Sequence, residues 1–197
     1  MTLQQFIDQF DFPGSIVLLE GKRDVLDEDK EALTAIGKLL ATQTKHIVFR
    51  SGNAPGSDEL FSTGVASVDH KRLEVITPYA GHRKKQNVAY TTHHLDGINL
   101  MEEPEVVYGS KLKPSLEKAI DDYVQGVQNK MTIKASYLIR DTVKVTGTNS
   151  GIPKATFALF YDDLAQPKSG GTGHTMNVCI AHEVPYVNQE VWMEWLK

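Results

Sequence analysis

The sequence predicts an α/β fold, a Rossmann-like three-layer sandwich in which helices flank a mostly parallel central sheet. Short apolar runs of strand length alternate with amphipathic stretches of helix length, which is the order of a parallel sheet with crossover helices. Several runs are apolar throughout, as expected of strands that are buried on both faces. Two glycine-rich segments each follow such a run and precede a predicted helix.

Five apolar runs define the predicted strands, because each has strand length and ends near turn residues. These runs are residues 16–19, 46–49, 73–76, 156–161 and 184–187. Between them, apolar residues recur at helical spacing in several stretches. The predicted helices cover residues 27 to about 41, a segment beginning at 57 or 58, 114–127, 134–145 and 172–182. Residues 142–145 would also suit a strand.

The chain between residues 79 and 113 has weak periodicity and is predicted as loops and short helical turns. It contains the basic run 82–85 and the adjacent histidines His93 and His94. Adjacent side chains point in different directions on most backbones, so we predict no metal site there. The basic run is interpreted either as a solvated charge cluster or as a segment that closes over a phosphate tail.

The composition is that of an ordinary globular chain, and we predict one domain over residues 1–197. Of the 197 residues, 41% are hydrophobic and 23% are charged. Cys179 is the only cysteine, which excludes an internal disulfide and a four-cysteine metal site. No apolar run approaches the roughly 18 residues that span a bilayer, and the start lacks a signal-peptide pattern. We therefore expect a cytoplasmic protein without a membrane partner.

The two glycine-rich segments have the features of phosphate-binding loops. Glycines let the main chain approach an anion closely, and the N-terminus of the following helix attracts negative charge. We expect the two loops to hold both ends of a nucleotide. The predicted ligand-binding residues of these loops are Ser51, Gly52, Asn53, Ala54, Gly56 and Ser57 in the first, and Gly170, Gly171, Thr172, Gly173 and Thr175 in the second.

Common nucleotide-binding fingerprints are absent. The turn after the first strand, Gly21-Lys22-Arg23, lacks three spaced glycines, and neither loop ends in Gly-Lys followed by Ser or Thr. These departures disfavour a routine NAD dehydrogenase or ATPase. We predict no resident cofactor, while Gly21, Lys22 and Arg23 remain candidate ligand-binding residues.

Taken together, residues 51–58, the 21–23 turn and residues 170–175 resemble the SLOG superfamily, and the resemblance spans residues 16 to 187. This superfamily contains the Lonely Guy phosphoribohydrolases, the DNA-processing protein A family and related Rossmann-like domains. The resemblance implies that the two loops bind a nucleotide or a nucleotide derivative. It also implies a homodimer, since relatives often form one. It does not imply a single activity, because a fold supports many functions.

One departure from the Lonely Guy pattern affects catalysis. Those enzymes read Pro-Gly-Gly-x-Gly-Thr-x-x-Glu, and in this chain Asn177 stands where the motif has its glutamate. An amide cannot act as a carboxylate base. Hydrolysis of an N-glycosidic bond or a phosphate ester would then need another carboxylate. Of the acidic residues near predicted strand ends, we rank Glu20 and Asp58 above Asp162 and Asp163.

Three candidates for the chemistry have alternative interpretations. Asp58 is either a base or a helix cap. Arg50, at a strand end, is either a phosphate clamp or part of a surface ion pair. His174, inside the second loop, is a candidate donor or acid.

The sequence leaves three functions open. The first is binding of a nucleotide or nucleotide-derived ligand by the two loops, with hydrolysis as an option. The second is a non-enzymatic module that grips single-stranded DNA through basic residues, namely Arg23, Arg50, Arg83, Lys84 and Lys85. The net charge of −4 and the lack of aromatic residues interleaved with these cations disfavour a nucleic-acid partner. The third is an interaction scaffold with vestigial loops.

Overall fold

The structure, a computed structural model of residues 1–197, contains a six-stranded sheet with helices on both faces. The strands β1 to β6 are Ile16–Gly21, Val48–Ser51, Leu73–Thr77, Thr91–His94, Phe157–Tyr161 and Tyr186–Val187. Every neighbouring pair is parallel, and the order across the sheet is β4-β3-β2-β1-β5-β6. The predicted α/β class and Rossmann-like architecture are confirmed.

Eight helices, α1 to α8, cover the two faces of the sheet. They are Leu3–Phe10, Lys30–Gln43, Ser57–Asp69, Pro104–Ser110, Glu117–Val124, Lys130–Thr146, Gly170–Ala181 and Gln189–Trp192. Helices α1, α2, α3 and α8 contribute to the core on one face, whereas α4, α5, α6 and α7 contribute to the two clusters on the other. None of the helices combines the length and apolar composition that crossing a bilayer requires.

Alternation along β1 divides its side chains between the two faces. Val17 and Leu19 belong to the core that contains α2 and α3, while Leu18 packs with residues of α7. Glu20 points to the same face as Leu18, where it meets α6. A charged side chain in a strand that is otherwise buried and apolar indicates a special role for this position.

Strand β4 and helix α1 were not recognised from the sequence, nor was the four-residue helix α8. The prediction of a loop over residues 91–94 is wrong, because β4 pairs in parallel with β3, with Val75 opposite Thr92 and Thr77 opposite His94. All four residues of β4 are half-buried, as suits a polar edge strand without a continuous apolar run. The N-terminal segment forms α1, which begins with a reciprocal capping box between Thr2 and Gln5.

Helix α6 is longer than predicted and resolves the ambiguity at its end. It begins after Asn129, whose side chain accepts hydrogen bonds from the amides of Met131 and Thr132. The helix continues through Thr146, so residues 142–145 are helical rather than extended. The long helix matters for function because its inner face forms one wall of the cleft described next.

Candidate functional site

A polar cleft of about 480 Å³ lies beyond the carboxyl ends of β1 and β5. Strands β2, β3 and β4 extend the sheet from one side of β1, and β5 and β6 extend it from the other, so the strand order reverses between β1 and β5. Open α/β sheets bind their ligands at this reversal. Ala54 and Asp58 line the cleft from the first glycine loop, and residues 169–172 line it from the second. The two loops therefore meet at one site.

The turn after β1 packs directly against the first loop. The Ser57 hydroxyl donates a hydrogen bond of 2.6 Å to the Lys22 carbonyl. Gly56 has a φ of +83° and lies so close to the backbone of Arg23 that a side chain would collide with it. Gly21 is equally confined, because a Cβ there would meet Tyr161 and the Ser57 hydroxyl. These glycines bring the two segments together rather than freeing amides for a ligand.

Asp58 occupies two amides of the first loop and one at the end of β1. Its Oδ2 accepts hydrogen bonds from the Gly52 amide at 3.0 Å and the Ala54 amide at 3.3 Å, and its Oδ1 accepts one from Gly21 at 3.4 Å. The carboxylate is 1% exposed. An internal anion thus sits where the sequence analysis expected a ligand phosphate. The Gly52 and Ala54 amides are therefore not free for a ligand, contrary to the expectation for these two residues.

The second loop has amides available at the start of α7. The first hydrogen bond of this helix runs from the Gly173 amide to the Ser169 carbonyl, so the amides of Gly170, Gly171 and Thr172 precede it. The Ser169 side chain does not cap the helix, and Gly170 and Gly171 are exposed. Gly173 packs against the Lys168 backbone too closely for any side chain. This helix N-terminus can accept an anion.

A buried group of charges forms the floor of the cleft beneath α6. Lys144 Nζ lies 2.5 Å from Glu20 Oε2 and 2.9 Å from Asp141 Oδ1. Arg140 Nη2 lies 2.8 Å from the same Asp141 oxygen, and Arg140 Nη1 donates to the Gly52 carbonyl at 2.7 Å. The Thr175 hydroxyl donates to Glu20 Oε1 at 2.9 Å. Two cations and two carboxylates balance here, which removes the large cost of burying an unpaired charge.

The two carboxylates of this group have opposite pKa shifts. Burial raises the pKa of Glu20 to about 7, with Lys144 opposing the rise and the charges of Asp141 and Asp58 adding to it. Burial alone would raise the pKa of Asp141 as well, but Arg140 and Lys144 lower it overall. At neutral pH the pair therefore offers one carboxyl group that can gain or lose a proton and one that stays charged.

Two predicted site residues lie outside the cleft. The Arg50 side chain is 0% exposed, with its Nε 2.6 Å from Glu74 Oε1 and its Nη1 donating to the carbonyls of Lys144 and Pro153. The ion-pair interpretation agrees with this contact, although the pair is buried rather than on the surface. The phosphate-clamp interpretation does not agree with the structure, because the Arg50 guanidinium faces away from the cleft.

His174 is also buried, at 1% exposure, and its Nε2 lies 3.2 Å from both the Thr142 hydroxyl and the Leu138 carbonyl. Burial lowers the pKa of this imidazole. His174 was expected to act as a donor or acid at the ligand, but its buried side chain is not placed to do so.

The other predicted residues divide into lining and framing groups. Those that line the cleft are Glu20, Gly21, Lys22, Arg23, Ala54, Asp58, Gly170, Gly171 and Thr172. Those that frame it without lining it are Ser51, Gly52, Asn53, Gly56, Ser57, Gly173 and Thr175. Asn53, for example, donates through its side chain to the carbonyls of His82 and Arg83. It thereby fixes the loop after β3 to the first glycine loop.

Helix α6 supplies a wall that the sequence analysis missed. Lys134, Tyr137, Leu138 and Asp141 line the cleft at the i, i+3, i+4 and i+7 positions of one helix face, and Arg140 joins them. This spacing is visible in the sequence, but a mixed polar face resembles a solvated one until the opposing loops are known. Asn177 is exposed and does not line the cleft, whereas Asp141 Oδ2 lies 3.5 Å from the position of a Cβ on Gly171. A carboxylate from α6 therefore faces the second loop.

The arrangement can bind an anion at α7 and move a proton at Glu20. No cluster of three or more His, Cys, Asp or Glu side chains is arranged to hold a metal ion.

The comparisons with known proteins bear on the fold. No protein-family model matches the chain, and no curated protein sequence matches it. Among solved structures, the chain is similar to DNA processing protein A from Helicobacter pylori, from a study of its single-stranded DNA binding mode. The TM-score is 0.52 at 13% identity, covering 95% of this chain and 68% of that one. At this identity the similarity concerns architecture alone, and the chain shares the Rossmann-like fold of DNA processing protein A.

Proposed function

We propose that the protein binds a nucleotide or nucleotide-derived ligand in this cleft, with a phosphate group at the N-terminus of α7. The observation that carries the proposal is the set of amides of Gly170, Gly171 and Thr172 facing a cleft at the reversal of strand order. The resemblance of both loops to the SLOG superfamily supports it, and we propose membership of that superfamily.

The charges around the cleft favour an anionic ligand at one end. Lys22, Arg23 and Lys134 line the cleft, and none of them takes part in an ion pair. Of the five acidic lining residues, Glu20, Asp58, Asp141 and Asp163 already contact donors within the protein. Asp24 makes no hydrogen bond or ion pair and lies in the turn after β1, so it disfavours a phosphate on that side of the cleft.

The binding test compares two substitutions at Gly171. A Cβ at this position makes only an ordinary contact with Asp141 Oδ2, so Gly171→Ala should fold and retain affinity within a few-fold. Gly171→Asp places a negative charge beside the bound phosphate, and repulsion of about 4 kcal/mol at about 4 Å in a partly buried site corresponds to about a thousandfold loss. Calorimetric titration with AMP, ADP-ribose, NAD and cyclic nucleotides measures both.

The proposal fails if no compound of this panel binds the wild type below millimolar concentration. It also fails if Gly171→Asp, shown by circular dichroism to be folded, binds as tightly as Gly171→Ala.

Hydrolysis of the bound ligand is a further part of the proposal, with Glu20 as the base. Asp58 and Glu20 both have their two oxygens engaged, Asp58 by three amides and Glu20 by Lys144 and Thr175. Glu20 is the stronger candidate because burial raises its pKa to about 7, which suits a general base at neutral pH. The water oxygen would bond either to ribose C1 as the N-glycosidic bond breaks or to phosphorus as the ester P–O bond breaks, and the protonated Glu20 would return its proton to the departing base or alcohol oxygen. Incubation with AMP followed by chromatography distinguishes the outcomes: free adenine indicates N-glycosidic cleavage, adenosine indicates ester cleavage, and unchanged AMP excludes hydrolysis of this compound.

Single-stranded DNA is the second candidate partner, favoured by the fold similarity to DNA processing protein A. Of the five basic residues expected to grip DNA, Arg50 is buried and Arg83 is paired with Glu59 at 2.7 Å. Arg23, Lys84 and Lys85 are exposed. Three phosphate contacts give a slope of about −2 for log K against log salt, or about a 20-fold loss between 50 and 200 mM salt. Flat salt dependence in fluorescence anisotropy would exclude this partner.

A scaffold with vestigial loops receives little support. Such a protein needs no accessible site, whereas the cleft is open and lined by both loops.

A further inference from the structure

A row of aromatic rings leads from the cleft to the protein surface. The Tyr137 ring lines the cleft, and its centroid lies 6.0 Å from that of His82. His82 in turn lies 5.1 Å from the ring of Tyr79, which is 49% exposed. The His82 ring is close to perpendicular to both tyrosines, at 75° and 85°. Such edge-to-face contacts hold the rings in fixed orientations.

The loop that carries His82 is attached firmly to the first glycine loop. The Asn53 side chain donates to the His82 carbonyl at 3.2 Å, and Arg83 Nη1 donates to the Asn53 carbonyl at 3.2 Å. Arg83 Nη2 also pairs with Glu59 on α3 at 2.7 Å. Asn53 and Arg83 adopt positive φ angles of 53° and 44°, a conformation that these contacts maintain. The ring of His82 is therefore positioned before any ligand arrives.

The cleft has a small apolar patch in an otherwise polar lining. The patch consists of Tyr137 and Leu138 on α6 together with Ala54, and the rest of the lining is polar or glycine. Burial lowers the pKa of His82, and the charges of Arg140, Arg83 and Arg23 lower it further, so the imidazole is neutral at pH 7. Its Nδ1 is buried and His82 does not line the cleft, so this ring orients Tyr137 rather than contacting a ligand. A planar, uncharged group on the ligand would suit the exposed part of the Tyr137 ring.

We propose that Tyr137 forms a nucleobase subsite, with the base stacked against the Tyr137 ring, while His82 and Arg140, which also contact this ring, keep it in place. The proposal rests on the proposed function, because the phosphate of the same ligand lies at Gly170 to Thr172. Tyr137 and these amides line one cleft of about 480 Å³, within the usual size range of small-molecule sites. Stacking on an aromatic ring accepts any base, so this subsite sets a preference for nucleotides over sugar phosphates.

The test compares AMP with ribose 5-phosphate, which has the same phosphate and sugar without the base. Stacking contributes about 1–3 kcal/mol per base, so AMP should bind the wild type about 5- to 150-fold more tightly. Tyr137→Ala should remove this preference and leave the affinity for ribose 5-phosphate unchanged. Tyr137→Phe retains the ring and should retain the preference. Calorimetry gives both dissociation constants.

Tyr90→Ala is the matched control for loss of a tyrosine. Tyr90 is 66% exposed, and its amide donates to the Leu73 carbonyl at the amino end of β3, whereas the cleft lies beyond the carboxyl ends of β1 and β5. This variant should keep the preference for AMP.

Three results would overturn the subsite. The first is equal wild-type affinity for the two compounds, which leaves phosphate binding intact and refutes the subsite alone. The second is an equal loss of affinity for both compounds in Tyr137→Ala. The third is failure of both compounds to bind the wild type, which refutes the proposed function and the subsite together.

Discussion

Replacing Glu20 by glutamine tests the electrostatics of the floor of the cleft. Glu20 is 4% exposed and contacts Lys144 Nζ and the Thr175 hydroxyl. Glutamine has nearly the same shape as the protonated acid but cannot ionise. Lys144 keeps Asp141 as its partner in the variant, so the substitution does not leave the buried cation alone.

The size of the expected change in the free energy of unfolding follows from the pKa of Glu20, which rises from an ordinary 4.5 to about 7 on folding. A carboxyl group shifted upward binds more protons in the folded state, so its contribution to stability is complete below about pH 4.5 and disappears as the pH rises through 7. Between pH 5.5 and pH 8.5 the wild type should lose about 2 kcal/mol from this group. Glu20→Gln lacks this loss, so the variant should gain that amount relative to the wild type over the same interval.

Urea denaturation at the two pH values measures the difference directly. Trp192 and Trp195 are buried and report unfolding by fluorescence. The comparison between variant and wild type cancels titrating groups that both share. If the stability difference stays constant within about 0.5 kcal/mol, folding does not raise the pKa of Glu20, and the electrostatic account of the floor of the cleft is refuted.

Asp141→Asn is a control in which the stability of the variant relative to the wild type should depend on pH in the opposite direction. Burial favours the neutral acid, but Arg140 and Lys144 lower the pKa of Asp141 overall. The stability that Asp141 supplies is therefore present at neutral pH and is lost as the pH falls below its ordinary value of 3.8. The deficit of Asp141→Asn should shrink toward acid pH.

Two further predictions concern groups that satisfy buried polar atoms. Asp58→Ala should cost about 1–3 kcal/mol because three loop amides lose their acceptor, and phosphate added at tens of millimolar should raise the melting temperature of this variant more than that of the wild type. Trp192→Phe should cost about 1–2 kcal/mol by leaving the buried Phe160 carbonyl without the donor now at 2.9 Å, whereas Trp195→Phe, whose donor serves the Met1 carbonyl, should cost less in the same urea assay.

The parts of the fold that the sequence predicted are those in which burial determines composition. Strands β1, β3 and β5 are buried on both faces and read as apolar runs. The hydrophobic pattern did not predict β4, because Thr91–His94 is held by pairing with β3 at the edge of the sheet rather than by apolar burial. The hydrophobic pattern did not predict α1 either, because Phe6 and Phe10 pack against the core that contains α2 and α3 only once the sheet has formed.

The candidate site was predictable to the extent that glycine spacing identifies both loops. The sequence did not predict that Asp58 binds the first loop. This contact depends on the fold, which brings the amides of Gly21, Gly52 and Ala54 within 3.4 Å of the Asp58 carboxylate. The wall from α6 depends in the same way on tertiary packing. Lys134 and Asp141 have the helical spacing of any solvated polar face. The local sequence does not distinguish a polar face that lines a cleft from one that faces solvent.

The difference between the two loops restricts the kind of ligand that fits the cleft. The loop at α7 offers the amides of Gly170 to Thr172, whereas Asp58 already fills the Gly52 and Ala54 amides of the first loop. A dinucleotide that needs both sets for its pyrophosphate would have to displace a buried carboxylate with three donors, which carries a substantial desolvation cost. A mononucleotide needs one set of amides at its phosphate and an apolar wall at its base, and the cleft is lined by both Gly170 to Thr172 and Tyr137. The cleft should therefore favour AMP over NAD in the calorimetric panel.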